Sequence, residues 1–307
     1  MLDVKELSVS FSSYAYRLKK RQVCAIRNLE LYVNKGEVLA VVGQSGTGKS
    51  LLAHALLGLL PKNASMTGVL EFKGKKMTRK DMTRFRGRQI ALVPQSITYL
   101  NPLLRVGVQI ARAAELSGIP AANSWQIARD AIQRYGLKEE IVRFFPFQLS
   151  GGMARRILTA MATVAGAELI LADEPTNGLD RGNAKETLSY LRHLADIGKA
   201  VLLITHDIEA ALSIADRVSV FCGGITVEEA LASDFKDHDK LRHPYTKALW
   251  DAVPGRRFVE ALPVSALNSS NGGCPFTVLC GNRAARCGDD LPEMKRVAGG
   301  RVRCLDA

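Results

Sequence analysis

The sequence lacks any apolar run that approaches the roughly 20 residues needed for a membrane-spanning helix. Its longest apolar runs, such as 38–42 and 201–204, have the length of buried strands. The N-terminus does not combine a basic start with an apolar stretch, so we expect no secretory signal. Internal repeats and long low-complexity tracts are also missing. We therefore expect a soluble cytosolic protein, and any role at a membrane would be peripheral.

Acidic residues are fewer than basic ones, with 30 Asp and Glu against 42 Lys and Arg, for a formal net charge of +12. This balance suits negatively charged partners, namely nucleotide phosphates, an anionic lipid surface or nucleic acid. A solvated basic surface explains it equally well, so charge alone does not choose among these classes. The 307 residues leave room for one large or two small domains, and the apolar content is ample for a buried core.

The cysteines are unevenly distributed. Cys24 and Cys222 stand alone, and the other four crowd the C-terminal region, at Cys274, Cys280, Cys287 and Cys304. In a cytosolic chain such a cluster indicates metal binding or redox activity rather than disulfides. The tight C-x₂₋₄-C spacing typical of zinc modules is absent from it.

The apolar pattern predicts strands that alternate with helices. Alternation over 2–11 and 25–33 is typical of half-buried antiparallel strands. The further predicted strands are 38–42, 67–72, 90–93, 169–172, 200–204, 218–221 and 225–227. The clearest predicted helices are 106–116, 124–135, 153–164, 184–195 and 208–215. This order implies a largely parallel, helix-covered sheet with a helical block at about 99–165 inserted into it.

A phosphate-binding pattern follows the apolar strand 38–42 and precedes a helical stretch, and it reads Gly43-Gln44-Ser45-Gly46-Thr47-Gly48-Lys49-Ser50. It matches G-x-x-x-x-G-K-[ST], in which backbone N–H groups wrap the phosphates and a lysine neutralises them. Lys49 can reach the β- and γ-phosphates, and the Ser50 hydroxyl can bind Mg²⁺. The positive end of the helix dipole adds to the attraction for an anion.

Two further motifs complete a recognisable set. Leu149-Ser150-Gly151-Gly152-Met153 is a second glycine turn before a helix, and Asp173-Glu174 ends an apolar strand. With the phosphate-binding loop, these motifs resemble the ATP-binding cassette (ABC) family. In that family the signature turn of one subunit closes over the nucleotide that another subunit holds. The chain therefore resembles half of an ATP-driven dimeric machine.

The resemblance implies a role for each matching residue. Asp173 is expected to hold Mg²⁺ through water and Glu174 to polarise the attacking water. Gln95 matches the glutamine loop, which contacts Mg²⁺ and the transport partner, and His206 matches the switch histidine at the γ-phosphate. Asp180 matches the loop that communicates between the two ATP sites.

Some family positions differ or stay open in this chain. The usual fifth residue of the signature is Gln, and Met153 stands there as a mark of a subfamily. The aromatic residue that stacks on adenine is expected upstream of the loop, where Tyr16 and Tyr14 are the candidates. The nucleotide-binding set is expected to be Gly43, Ser45, Gly46, Thr47, Gly48, Lys49, Ser50, Gln95, Asp173, Tyr16, Ser150, Gly151, Gly152 and Asp180. Mg²⁺ is expected at Ser50, Gln95 and Asp173.

Three segments narrow the resemblance to the ATPases of oligopeptide, dipeptide and nickel importers. These are Tyr99-Leu100-Asn101-Pro102, Phe145-Pro146-Phe147-Gln148 and His243-Pro244-Tyr245-Thr246. The cysteine region is similar to the one in which members of that group can hold a [4Fe–4S] cluster on four thiolates. A tetrahedral zinc site and unligated thiols are the alternatives.

The resemblance implies an α/β P-loop NTPase (RecA-like) fold. We expect a mostly parallel sheet core, an antiparallel β subdomain, an inserted α-helical subdomain and a Cys-rich C-terminal extension. The nucleotide-binding domain is expected at 1–228, with the helical subdomain at about 99–165, and the extension at 229–307.

The expected function is that of the ATP-hydrolysing subunit of a peptide importer, with a nickel or metal-chelate importer as the alternative. The implied partners are a second ABC ATPase subunit, with a heterodimer favoured over a homodimer, two transmembrane permease subunits and, indirectly, an external solute-binding protein. The expected location is the cytoplasmic face of the inner (cell) membrane. A cassette ATPase acting on nucleic acid is a remote alternative, because no DNA-reading module or long coiled-coil heptad pattern is present. Regulation by redox state or metal through the cysteines is a further hypothesis.

Overall fold

The computed structural model describes residues 1–14, 20–253, 256 and 272–306. Its strands are β1 (Leu2–Tyr14), β2 (Lys20–Val33), β3 (Val38–Val42), β4 (Ala64–Phe72), β5 (Lys75–Lys76), β6 (Ile90–Val93), β7 (Leu169–Asp173), β8 (Ala200–Thr205), β9 (Arg217–Cys222), β10 (Ile225–Leu231), β11 (Lys295–Val297) and β12 (Gly300–Val302). Its α-helices are α1 (Lys49–Leu56), α2 (Arg79–Phe85), α3 (Val106–Leu116), α4 (Ala121–Arg134), α5 (Gly151–Val164), α6 (Arg181–Asp196), α7 (Ile208–Ile214) and α8 (Pro244–Asp251). No helix in the described ranges is both long enough and apolar enough to cross a membrane.

The chain divides into two compact units. The first unit comprises Met1–Val33, Val38–Met77 and Ile204–Ala307, and the second comprises Asn34–Glu37 and Thr78–Leu203. Each unit is therefore built from segments that are distant in sequence.

An antiparallel sheet in the first unit has the strand order β2-β1-β4-β5. Its strand β1 is bulged near Glu6, which has a positive φ of 52°, and the register with β2 shifts between Val4 and Leu7. Side chains of a regular strand alternate between its two faces, and the bulge shifts this alternation by one residue. Val4 before the bulge and Leu7 after it are therefore both buried. On β4, Gly68 faces the bulge, since an added Cβ would lie 2.7 Å from the Glu6 carbonyl oxygen. The predicted antiparallel strands at 2–11 and 25–33 are confirmed.

A second set of strands in the first unit has the order β11-β12-β10-β9-β3. Strand β3 is fully buried and pairs with β9 in parallel, whereas β9, β10, β12 and β11 pair antiparallel. The sheets are thus mixed, and the prediction of a largely parallel sheet is correct only in part. The sequence analysis did not predict β11 and β12, which join through Ala298 and Gly299 at positive φ, the backbone of a two-residue hairpin turn.

The second unit holds three strands in the order β8-β7-β6, and β6 and β7 pair in parallel. Every residue of β7 and of β8 is buried, as expected for strands covered on both faces. The predicted helical block contains α3, α4 and α5, which share an apolar core of residues such as Val106, Ile132 and Ile157. Apolar spacing of three and four residues explains why these segments form helices that bury one face.

Candidate functional site

The loop between β3 and α1 folds around the side chain of Lys49. Lys49 is buried, and its Nζ donates hydrogen bonds to the carbonyl oxygens of Gly43 and Gln44, both at 2.7 Å. The Thr47 hydroxyl donates to the same Gln44 carbonyl at 2.8 Å. Helix α1 starts at Lys49, so its first backbone N–H groups and its dipole lie beside a buried ammonium group. This combination suits an anion such as a phosphate group.

Two glycines of this loop are required by close backbone contacts. A Cβ at Gly43 would lie 2.1 Å from the carbonyl oxygen of Phe221 on β9. Gly48 caps α1 in the left-handed region with φ of 96°, and a Cβ there would lie 3.0 Å from the Ala25 carbonyl oxygen on β2. The loop backbone therefore packs directly on two strands, which only glycine permits.

His206 also lies in the first unit, directly after β8, and it is exposed. On its C-terminal side Asp207 caps α7 by accepting a hydrogen bond from the Ala210 N–H at 2.9 Å. The Asp207 N–H donates to the Thr205 hydroxyl at 3.1 Å. The backbone on both sides of the histidine is thus fixed by a strand end and a capped helix.

In the second unit, the acidic pair Asp173-Glu174 ends β7. Both side chains are buried, and Glu174 has a positive φ of 46°. Such a conformation is uncommon for a residue with a Cβ, and strained backbone of this kind tends to cluster at functional sites. The strand therefore delivers two carboxylates into a buried position at its C-terminal end, the usual edge for ligand binding in parallel sheets.

Arg155 on α5 is a buried residue near this pair that the sequence analysis missed. Its guanidinium donates to the carbonyl oxygens of Pro94, Gln95 and Asn177 at 2.9, 2.6 and 3.0 Å. Burial lowers the pKa of Arg155, and the nearby carboxylates of Asp173 and Glu174 act against that lowering.

Arg155 thus joins the backbone at Gln95, whose side chain is exposed, to the loop that leads to Asp180. One signal for this role was available in the sequence. Arg155, Leu158 and Ala162 share one helical face, and a charged residue on a buried apolar face needs a partner.

The second glycine turn and the Asp180 loop meet within the second unit. Ser150 caps α5 by accepting the Met153 N–H at 3.3 Å, and Asp180 caps α6 by accepting the Asn183 N–H at 3.0 Å. This second hydrogen bond is the main cause of the lowered pKa of Asp180. A Cβ at Gly152 would lie 3.2 Å from the Asn183 side chain, whereas one at Gly151 would meet nothing within 4 Å.

The sequence-predicted residues are therefore divided between the units. The first unit carries 43–50 and His206, and the second carries Gln95, Ser150, Gly151, Gly152, Asp173, Glu174 and Asp180. Tyr16, the candidate for adenine stacking, lies outside the described residues, and for the other candidate, Tyr14, only the backbone at the end of β1 is described.

Four cysteines, Cys274, Cys280, Cys287 and Cys304, line one small cavity together with His243. Cys274 is buried, which raises the pKa of its thiol to about 11, and its Sγ lies 3.8 Å from His243 Nε2. The donor set matches the four thiolates that an iron–sulfur cluster uses. The cavity of about 20 Å³ has room for about one water molecule. Within the described ranges, no group of three or more His, Cys, Asp or Glu side chains is arranged as a metal-binding set.

Comparison with known proteins places this geometry in a family. Residues 26–177 match the family model described as ABC transporter. The chain is 33% identical to the probable peptide ABC transporter ATP-binding protein y4tR of Sinorhizobium fredii, over 98% of this chain and 93% of that protein. It is 31% identical to the probable D,D-dipeptide transport ATP-binding protein DdpD of Escherichia coli, over 99% of this chain and 95% of that protein.

The fold is similar to that of solved cassette structures. One is the dimeric post-hydrolysis state of the ATP-binding cassette MJ0796 bound to ADP and Pi, with a TM-score of 0.66 and 25% identity. That similarity covers 76% of this chain and 99% of the solved chain. The chain therefore belongs to the ATP-binding proteins of the ABC transporter family, and it is an ATP-hydrolysing enzyme.

Proposed function

We propose that the chain is the ATPase subunit of a membrane importer that takes up dipeptides or oligopeptides. The observation that carries this proposal is the similarity over nearly the full chain to proteins named for peptide transport. That similarity includes the C-terminal region as well as the nucleotide motifs. Uptake of nickel or a metal chelate, the alternative from the sequence, is the competing outcome of the test below.

We propose the following roles for the nucleotide-binding and catalytic residues. Gly43, Ser45, Gly46, Thr47, Gly48 and Lys49 bind the phosphates, Tyr16 stacks on adenine, and Ser50, Gln95 and Asp173 hold Mg²⁺. When bound, Mg²⁺ would neutralise part of the phosphate charge, and oxygen donors of this kind suit it. The buried Glu174 accepts a proton from the attacking water, and His206 contacts the γ-phosphate.

The signature residues act on a nucleotide held by another subunit. We propose that Ser150, Gly151, Gly152 and Asp180 face the partner ATPase, and that the dimer is a heterodimer rather than a homodimer. In support of a dimer, Ser150, Gly151 and Asp180 are exposed, and two solved cassette structures are dimeric. The preference for a heterodimer rests on the resemblance to importers that use two related ATPases.

We propose two permease subunits as further partners, an external solute-binding protein acting through them, and a location at the cytoplasmic face of the membrane. In support of a docking surface for the permeases, the stretch after Gln95 exposes large apolar side chains. Tyr99 is 56% and Leu103 82% exposed, and Ile97 and Leu104 are exposed beside them. Exposed apolar groups in one short stretch are typical of a protein interface.

The nucleotide-binding domain would span 1–228, with the helical subdomain at about 99–165, and the extension would span 229–307.

Two substitutions test the catalytic assignment. Glu174→Gln should lower ATP turnover by about 10² to 10⁴, because a positioned general base is lost. Lys49→Ala should abolish nucleotide binding in equilibrium dialysis, because the cation inside the loop is lost. Unchanged turnover in the Glu174 variant would remove that residue from the role.

Uptake by cells with and without this protein tests the substrate. Labelled dipeptide, oligopeptide and nickel should be measured in parallel, with cells that carry Lys49→Ala as the control for ATPase function. We expect loss of peptide uptake alone. Loss of nickel uptake alone would overturn the peptide proposal.

We also propose that Cys274, Cys280, Cys287 and Cys304 bind one [4Fe–4S] cluster. Their convergence on a single cavity supports this, and the loops around it would have to open to admit the cluster. Anaerobically purified protein should contain iron and acid-labile sulfide in equal amounts. Absence of both would overturn the cluster, and stoichiometric zinc in their place would support the zinc alternative.

A further inference from the structure

A tyrosine of the C-terminal region, Tyr245, contacts the phosphate-binding loop. Tyr245 lies on α8, its side chain is fully buried, and its hydroxyl accepts a hydrogen bond from the backbone N–H of Gln44 at 3.3 Å. The two residues are 201 positions apart in the chain. Tyr245 thus reaches the loop from outside the region that the nucleotide motifs define.

The start of α8 is firmly attached, so Tyr245 has little freedom to move. His243 Nδ1 accepts the Tyr245 N–H at 3.0 Å, and the His243 N–H donates to the carboxylate of Glu228 on β10 at 2.8 Å. Glu228 is fully buried and also pairs with the Arg242 guanidinium at 3.2 Å. Buried charge-assisted hydrogen bonds of this kind hold geometry more strongly than neutral ones.

The tyrosine ring is also held from the side of the cysteine region. The ring of Phe276 packs edge-on against it with centroids 5.4 Å apart, and Phe276 follows Cys274 by two residues. Cys274 in turn lies against His243, the cap of α8. The tyrosine therefore sits between the cysteine segment and the loop.

Tyr245 accepts a hydrogen bond from Gln44, the residue whose carbonyl oxygen also binds Lys49. The Gln44 N–H bonds to Tyr245, and the Gln44 carbonyl oxygen accepts from Lys49 and from Thr47. A shift of Gln44 would consequently move the acceptor that places the Lys49 ammonium group.

We propose that Tyr245 is a positioning residue for the phosphate-binding loop, acting on Lys49 through the Gln44 backbone. This proposal rests on the proposed ATPase function and deepens it, because it makes the C-terminal region a part of the nucleotide site. A residue with a merely structural role would affect stability and leave nucleotide affinity unchanged.

The test is Tyr245→Phe, which removes the hydroxyl and keeps the ring against Phe276. We expect KM for ATP and the dissociation constant for a fluorescent ATP analogue to rise about fivefold, as for one lost neutral hydrogen bond, with a smaller change in kcat. The control is Tyr135→Phe in the helical block, which removes a buried hydroxyl bonded to Thr163 at 2.6 Å. That control should lower the melting temperature and leave KM unchanged.

Hydrogen exchange gives a readout that does not depend on activity, and its first part needs only the unaltered chain. The amide of Gln44 should exchange slowly in the unaltered full-length chain and faster in Tyr245→Phe. Rapid exchange in the unaltered chain, or unchanged KM and nucleotide affinity in a folded Tyr245→Phe, would overturn the positioning role. An unaltered chain that binds no ATP while its Gln44 amide is protected would instead overturn the proposed function and leave the contact intact.

Discussion

At the scale of the residue, burial shifts the pKa of one carboxylate on β10, the middle strand of the second strand set. Glu229 is 3% exposed, and its Oε2 pairs with Arg217 at 3.3 Å and with Arg301 at 3.4 Å. Burial nonetheless raises the pKa of Glu229, because desolvation of the charge outweighs the two guanidinium groups. The folded chain therefore keeps this proton to a higher pH than the unfolded chain does.

This raised pKa predicts a pH dependence of stability. Above the unfolded pKa of 4.5 the folded state binds more protons at Glu229 than the unfolded state, so the free energy of unfolding falls as pH rises through the folded pKa. Urea unfolding measured at increasing pH above 4.5 should show a decline that Glu229→Gln lacks. Parallel curves for the two proteins would show that Glu229 titrates as it does in the unfolded chain.

At the scale of the element, α5 determines how two loops of the second unit are joined. Among the contacts described above, only the Arg155 side chain bonds to the backbone at both Gln95 and Asn177. The planar guanidinium has several N–H donors in a fixed arrangement, which allows it to reach three carbonyl acceptors at once. A lysine ammonium group does not have this arrangement.

Arg155→Lys should therefore lower ATP turnover by about tenfold or more, because it leaves buried carbonyl groups without a donor, at a cost of about 1–3 kcal/mol. The matched control is Arg129→Lys on α4, whose side chain is 46% exposed and pairs with Glu139 at 3.5 Å. ATPase assays and melting curves on both variants separate loss of activity from loss of folding. Equal turnover in the two variants would contradict the joining role of Arg155.

Elements with a strong local signal were predictable from the sequence, and those without one were not. Helix α3 has the predicted bounds of 106–116, because its apolar residues repeat at helical spacing. Strands β11 and β12 are three residues each and contain one valine apiece as their apolar residue, so no alternation marks them. Pairing of β12 with β10 supplies their stability, and that pairing is a tertiary contact.

At the scale of the whole molecule, binding of ATP is linked to folding. A ligand that binds only the folded chain stabilises it by mass action, by about 2.7 kcal/mol at a hundredfold excess over the dissociation constant. The melting temperature should therefore rise with added ATP and Mg²⁺ in the unaltered chain and stay constant in Lys49→Ala. Equal rises in both proteins would show that the nucleotide binds elsewhere.

The sequence by itself determined which residues we propose for the nucleotide site, because the loop at 43–50 and the acidic pair are contiguous motifs that each follow an apolar strand. Only the tertiary structure decided which distant groups support these motifs. Arg155 reaches Gln95 across 60 positions, and Tyr245 reaches Gln44 across 201. Such contacts arise when buried backbone polar groups must find partners in a close-packed interior, and no local pattern encodes which side chain will supply them.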